Sequence, residues 1–182
     1  GGVGSEQGRE MGSEQGGVMT ANMGGEDMAA MGADRAKGRF DTLGEESVEK
    51  LDGARVGGML DAMGAEHIGE IDSEQVNDMT ANMSGEDMAA MDADSAKGVF
   101  DTLGADQALE LEGSQVAGML GAMEHDQIAD MGEDVAVKAF EAMGTEGALT
   151  MDGDSMSGML DAMGSEHIGE IDSEQVNDMT AN

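Results

Sequence analysis

The sequence predicts an all-α fold, an α-solenoid of about nine 20-residue helix-turn-helix repeats, and three observations lead there. Apolar residues recur on a strict alternation of 8-residue and 12-residue units. Inside each unit they keep helical spacing. No unit is long enough to hold a helix in water by itself, so the units must stabilise one another by stacking.

The alternation is clearest in the phrases GAEHIGEI (64 to 71) and DSEQVNDMTANM (72 to 83), which together make one 20-residue repeat. Residues 1–3 form a lead-in. From Gly4 onward repeats begin at 4, 24, 44, 64, 84, 104, 124, 144 and 164, a single continuous array over 4–182. The ninth repeat stops one residue short at Asn182, which makes a fragment of a longer array the expectation. The last position of every completed unit is apolar, as in Met31, Leu43, Leu51, Met63, Ile71 and Met83.

The long unit carries its apolar side chains at positions five, eight, nine and twelve, for example Val116, Met119, Leu120 and Met123, the i, i+3, i+4, i+7 stripe of an amphipathic helix. The short unit offers positions five and eight, as in Ile68 and Ile71. At the ninth position of the long unit the chain reads Thr20, Phe40, Leu60, Thr80, Phe100, Leu120, Phe140, Leu160 and Thr180. Three repeat types, A (Thr), B (Phe) and C (Leu), thus run ABC ABC BC A, a 60-residue module from which one A copy is missing. Residues 58 to 82 and 158 to 182 differ only at Ala65 and Ser165, so the duplication is recent or the copies are kept homogeneous.

Local chemistry supports the same division. The third position is Asp or Glu in 16 of 18 units, with Ala54 and Ser114 the exceptions, which sets a carboxylate against the positive end of each helix dipole. Much of the acidity is therefore helix punctuation. First positions are mostly Gly (Gly24, Gly64, Gly104) or Asp (Asp72, Asp92, Asp172), suited to an αL residue closing one helix or an N-cap opening the next. Gln75 and Gln175 stand three residues after Asp72 and Asp172, the spacing of a capping box. Gly38, Gly58, Gly98, Gly118 and Gly158 share the seventh position of the long unit, where each costs up to about 1 kcal/mol of helix propensity. Close approach of a neighbouring helix is the expected compensation.

Composition narrows function. With 40 Asp and Glu against 8 Lys and Arg, the formal charge is −32, the wrong sign for nucleic acid or anionic lipid. Cations and basic partners fit better. There is no Cys for disulfides or thiolate metal sites, no membrane-spanning apolar run, and no signal-peptide stretch among the first residues. No Trp or Tyr and only three Phe leave the core to 20 Met and the small aliphatics, and Met fills irregular gaps well.

The motifs with chemical side chains reduce to structural roles. The pairs Met28 and Met31, Met88 and Met91, and Met156 and Met159 have the MxxM spacing of soft copper sites, but all fall on the apolar template and are expected to fill the core. His67, His125 and His167 are scattered, two of them copies of one position, and are expected to be exposed polar residues. Asp152-Gly153-Asp154-Ser155 opens like an EF-hand loop, yet Ser157 stands where Gly is needed and Met163 where Glu is needed. No nucleophile, base and orienting group can be assembled. The chain is expected to be no enzyme, with no catalytic, cofactor-binding or metal residues and no cofactor beyond weak, diffuse Ca²⁺ association along its carboxylates.

The phrases IDSEQVNDM (71 to 79), LGADQALEL (103 to 111) and MEHDQIADM (123 to 131) resemble the L-T-x-x-Q-[IV]-x-x-L repeats found in long arrays of some large bacterial surface and secreted proteins. Here Gly or Asp stands for the Thr, and Met for much of the Leu. The resemblance implies an extended extracellular or cell-surface stalk, filament or adhesin module and carries no functional residues with it. Its partners are then expected to be further copies or neighbouring repeats, with no membrane insertion. Stacked as nine helix pairs, the segment would make a rod of about 70 to 90 Å. The alternative is a protein-binding α-solenoid scaffold, to which the basic residues Arg35, Lys37, Arg39, Lys50 and Arg55 draw attention. A weaker third reading, ordering of mineral or ice by the recurrent acids and Thr20, Thr80 and Thr180, conflicts with the place of those Thr on the apolar stripe.

Overall fold

The computed structural model describes residues 24–43 and 51–168. Lead-in residues 1–3, the repeat starting at 4, Thr20, Lys50, Gln175, Thr180 and the side chain of His167 lie outside the described residues. Among those described there are ten helices and no strand. In chain order they are α1 Gly25–Ala29, α2 Ala33–Leu43, α3 Gly53–Ile68, α4 Ser73–Thr80, α5 Gly85–Ala89, α6 Ala93–Ala108, α7 Gly113–Ala122, α8 His125–Ala129, α9 Glu133–Ala148 and α10 Gly153–Ile168.

The eight-plus-twelve rhythm is the rhythm of the helices. Helices α1, α5 and α8 are short units; α2, α4 and α7 are long units. Each of α3, α6, α9 and α10 holds a long and a short unit joined at one glycine, the first residue of the short unit. Those glycines, Gly64, Gly104, Gly144 and Gly164, have φ of 68°, 71°, 63° and 69° with ψ near 160–180°. This differs from the expected αL closure. With ψ extended, the residue turns the chain straight from one helix into the next without a linker, in a region that essentially only glycine occupies. Where the first residue of the short unit is Ser84 or Glu124, φ is −79° or −74° and the preceding helix stops earlier, α4 at Thr80 and α7 at Ala122.

N-termini carry the caps that the first and third positions announced. Asp52, Asp92 and Asp152 accept the N–H of Arg55, Ser95 and Ser155, and Asp72 accepts that of Glu74. Ser84 and Asp87 close a reciprocal capping box; the N–H groups of Glu112 and Glu124 donate to Gln115 and Gln127. The Asp152 segment is thus a helix cap and not a calcium loop.

The apolar template is the core. Val56, Met59, Leu60 and Met63, then Val116, Met119, Leu120 and Met123, are buried, as are Ile68, Ile71, Met88 and Met91 of the short units. Burying each such side chain contributes about 1.5–3 kcal/mol, which no isolated two-turn helix obtains. Of the MxxM pairs, Met28, Met88, Met91 and Met159 are buried in the core, and Met31 and Met156 are half-buried against it. Thr80 is also fully buried and gives its hydroxyl hydrogen to the Asn77 carbonyl, which leaves it nothing to present to a mineral or ice surface.

What the repeat alone does not announce is which units touch. Position seven of a long unit lies on position two of the short unit 33 residues earlier. A Cβ added at Gly58 would come within 2.8 Å of the Gly25 carbonyl carbon, at Gly98 within 2.8 Å of Ala65 Cα, at Gly118 within 2.9 Å of the Gly85 carbonyl carbon, and at Gly158 within 2.8 Å of the His125 oxygen. This is the close approach expected of those glycines. At Gly38 no described atom lies within 4 Å of such a Cβ, and residues 4–11, the matching segment, lie outside the described residues. Ion pairs keep nearly the same separation: Lys37 with Glu70, His67 with Asp34, Lys138 with Asp106. These contacts set a unit against the unit three further along, about 30 residues away.

Candidate functional surface

A step of three units and a repeat of two come back into phase after six units, or 60 residues, the length of the ABC module in the sequence. The side chains that bridge the steps are the chemically specific features of the molecule. Gln115 is only 6% exposed. Its amide donates to the carbonyls of Thr80 at 3.1 Å and Met83 at 2.6 Å, and its oxygen accepts the N–H of Glu112 at 3.0 Å. Thr80 is the last residue of α4, so Gln115 satisfies carbonyls that a helix end leaves without partners. Ser95, fully buried, points its hydroxyl at the carbonyl of Leu60, again 35 residues back. Ser155 occupies the same fourth position of its unit and is 3% exposed. The sequence marked this position only as a capping-box partner; its inward role required knowing what lies opposite.

Asp61 is the described carboxylate whose titration burial disturbs. It accepts the backbone N–H of Asp92 at 3.0 Å. Burial raises its carboxyl above the usual value and the Asp92 charge adds to this, against the lowering effects of the Asp92 N–H and the Ser95 hydroxyl. Asp152 is exposed and shifts the other way, held down chiefly by the N–H of Ser155.

Histidines are less exposed than expected and are engaged. His67 Nε2 stands 3.6 Å from Asp34, while His125 places Nε2 3.3 Å from Asp161 and Nδ1 3.3 Å from the Asp154 carbonyl. Two residues of the basic run are engaged as well: Lys37 lies 3.6 Å from Asp41 and 3.9 Å from Glu70, and Arg55 3.3 Å from Asp52.

Two grooves run along the helix stacks. One of about 350 Å³ is walled by Gly25, Glu26, Ala54, Gly57, Asp87 and Met91, from three successive steps of one stack. A more open, acidic one of about 790 Å³ is bordered by Glu66, His67, Asp92, Asp94 and Glu124. Among the described residues no three His, Asp or Glu side chains are grouped to hold a metal ion, and no helix is long and apolar enough to cross a membrane. No family model, curated protein or solved structure matches the chain.

Proposed function

We propose that the chain is a stretch of an α-solenoid acting as a spacer, stalk or filament module of a bacterial cell-surface or secreted protein, with no catalytic role. The observation that carries the reading is the constant 33-residue offset of the glycine contacts from Gly25 and Gly58 to His125 and Gly158. Contacts that depend only on relative position along the chain build an object that grows in one dimension. The bridging side chains serve the stack itself: Gln115, Ser95 and Asp61 are all spent on the backbone of another step. The extracellular location rests on the resemblance of the repeats to those of bacterial surface arrays.

The stacking step consumes three units, so the rod is shorter than nine helix pairs would make it. At about 9–10 Å per layer of helices, 182 residues form about six layers and a rod of about 50–60 Å. A charge of −32 holds such rods apart at low ionic strength; salt or Ca²⁺ screens it and permits lateral association. The scaffold reading has less behind it, since Lys37 and Arg55 already pair with carboxylates of this chain.

Small-angle scattering on the chain and on a head-to-tail doubled version tests the proposal. A doubled rod of about 110 Å has a radius of gyration of about 32 Å, whereas a compact globule of twice the length has about 21 Å. A value near the globular figure overturns the spacer reading. Electron microscopy across a salt series tests the second part, and single particles at every ionic strength would remove the filament role.

A further inference from the structure

We infer that α10 presents a docking face for segment 25–43 of a second copy of this chain, so that copies join head to tail; the inference rests on the filament reading above and names its partner. The three Leu-bearing long units make the comparison. In the first two, at 52–63 and 112–123, Val56, Leu60, Val116 and Leu120 are wholly enclosed and Gly57 and Ala117 are buried. In the third, which opens α10, the same positions hold Met156 and Leu160, both half-buried, and Ser157, exposed. The rest of this unit is seated as in the other two, with Ser155, Met159 and Met163 buried. The difference is confined to the side that the following layer covers.

On α3 that cover is segment 85–103. A Cβ at Gly53 would strike the Asp87 carboxylate, and one at Gly57 would lie 3.9 Å from Met91 Cγ; Asp61 accepts the Asp92 N–H, and Ser95 points at the Leu60 carbonyl. The same offsets, counted from Gly153 and Leu160, lead to positions 187 and 195, numbers this chain does not reach. The covering sequence recurs at the head of the chain. Residues 25–31 repeat 85–91 letter for letter as GEDMAAM, and 32–43 differ from 92–103 only at Gly32, Arg35 and Arg39. The docking side of this head copy is open: Met31 is half-buried where Met91 is buried, and Arg35 is exposed where Ser95 is enclosed. The two open sides are therefore the halves of the interface that α3 makes with α5 and α6. Gly153 keeps the glycine that Asp87 requires at Gly53, although among the described residues a Cβ there meets nothing within 4 Å. Charge favours the joint. Arg35 stands where Ser95 neighbours Asp61, and so comes to Asp161, exposed on α10 beside His125, in a chain with no Lys or Arg beyond Lys138. In this register residues 1–22 of the incoming copy coincide with 161–182 of the first. Both stretches carry MTAN at the same place, but the tail has Ile168, Ile171 and Val176 on the apolar template where the head has Gly8, Met11 and Gly16, so the joint favours the tail.

Sedimentation velocity on the full chain at about 0.15 M salt, where charges are screened beyond about 8 Å, tests the joint. The mass of the parent should rise with concentration through dimers to longer species. Gly153→Leu, at an exposed position, should keep the melting curve of the parent and remain monomeric. Added in excess to the parent it should cap the assemblies and shorten them, because only its tail is blocked. Arg35→Asp, at the other end, should weaken association by about two- to tenfold. A parent that stays monomeric up to about 1 mM, or a Gly153→Leu protein that associates like the parent, overturns the joint. The covalently doubled chain judges the solenoid separately: a monomeric parent whose doubled form is still extended removes the joint alone.

Discussion

Two glycines three residues apart in α7 should respond to the same substitution with opposite sign. Gly118→Ala places a Cβ 2.9 Å from the Gly85 carbonyl carbon and 3.1 Å from its Cα, with the Gly85 oxygen closer still. Ordinary carbon contacts keep about 3.5–4.0 Å, so α7 must retreat from α5 by roughly 0.5–1 Å. The obstacle is backbone, which cannot swing aside as a side chain would. Overpacking of this kind costs about 1–3 kcal/mol, and here the upper part of that range applies. Alanine returns up to about 1 kcal/mol through helix propensity, leaving a net loss of about 1–2 kcal/mol. For a chain of this size that lowers the melting temperature by about 2–8 °C. At Gly121 a Cβ meets nothing within 4 Å, so Gly121→Ala should gain about 0.5 kcal/mol and melt about 1–2 °C higher. Thermal melts by circular dichroism at fixed salt and protein concentration read both. A Gly118→Ala protein that melts at or above the parent would falsify the close docking of α7 on α5.

Three further outcomes follow from particular residues. Gln115→Leu keeps the bulk but removes the donor from the Thr80 and Met83 carbonyls and should lower stability by about 1–3 kcal/mol; an unchanged urea midpoint counts against the bridge. Gly64→Ala forces an L-residue to φ 68° and ψ 166° in open space, at about 1–3 kcal/mol, whereas Gly121→Ala, also in open space but inside a helix, carries no such strain, and equal melts for the two would refute the turn assignment. Asp61→Asn preserves an acceptor for the Asp92 N–H and removes a carboxylate whose titration is raised on folding. A raised acid binds its proton more tightly when folded, so its ionised form penalises the fold above the folded value and the penalty disappears as pH falls towards 3.8. The variant should therefore show a higher urea midpoint than the parent at pH 7, and the advantage should close in acid; a pH-independent difference points to packing instead.

Much of the fold was legible because helix formation here is local. The positions of Val116, Met119, Leu120 and Met123 and the N-cap residues all act within one or two turns of chain, and each lies where its spacing placed it. The bridging residues were only half legible. Gln115 stands at the capping-box distance from Glu112, which the sequence shows, but its amide faces carbonyls 32 and 35 residues away, which it does not. His67 and His125 looked exposed for the same reason: Asp34 and Asp161 are remote in sequence.

By itself the sequence determined that the described elements are helices and which face each buries, since caps, propensity and apolar spacing are properties of short segments. The tertiary structure alone decided how they stack. An apolar stripe of Met, Leu and Val is non-directional and will pack against any similar stripe, so periodicity cannot say whether a unit meets its neighbour or the third unit on. That choice was made by the turn at residues such as Gly64, which sets the angle between consecutive helices, and by the missing Cβ atoms of Gly58, Gly98, Gly118 and Gly158, which fit only one neighbouring backbone.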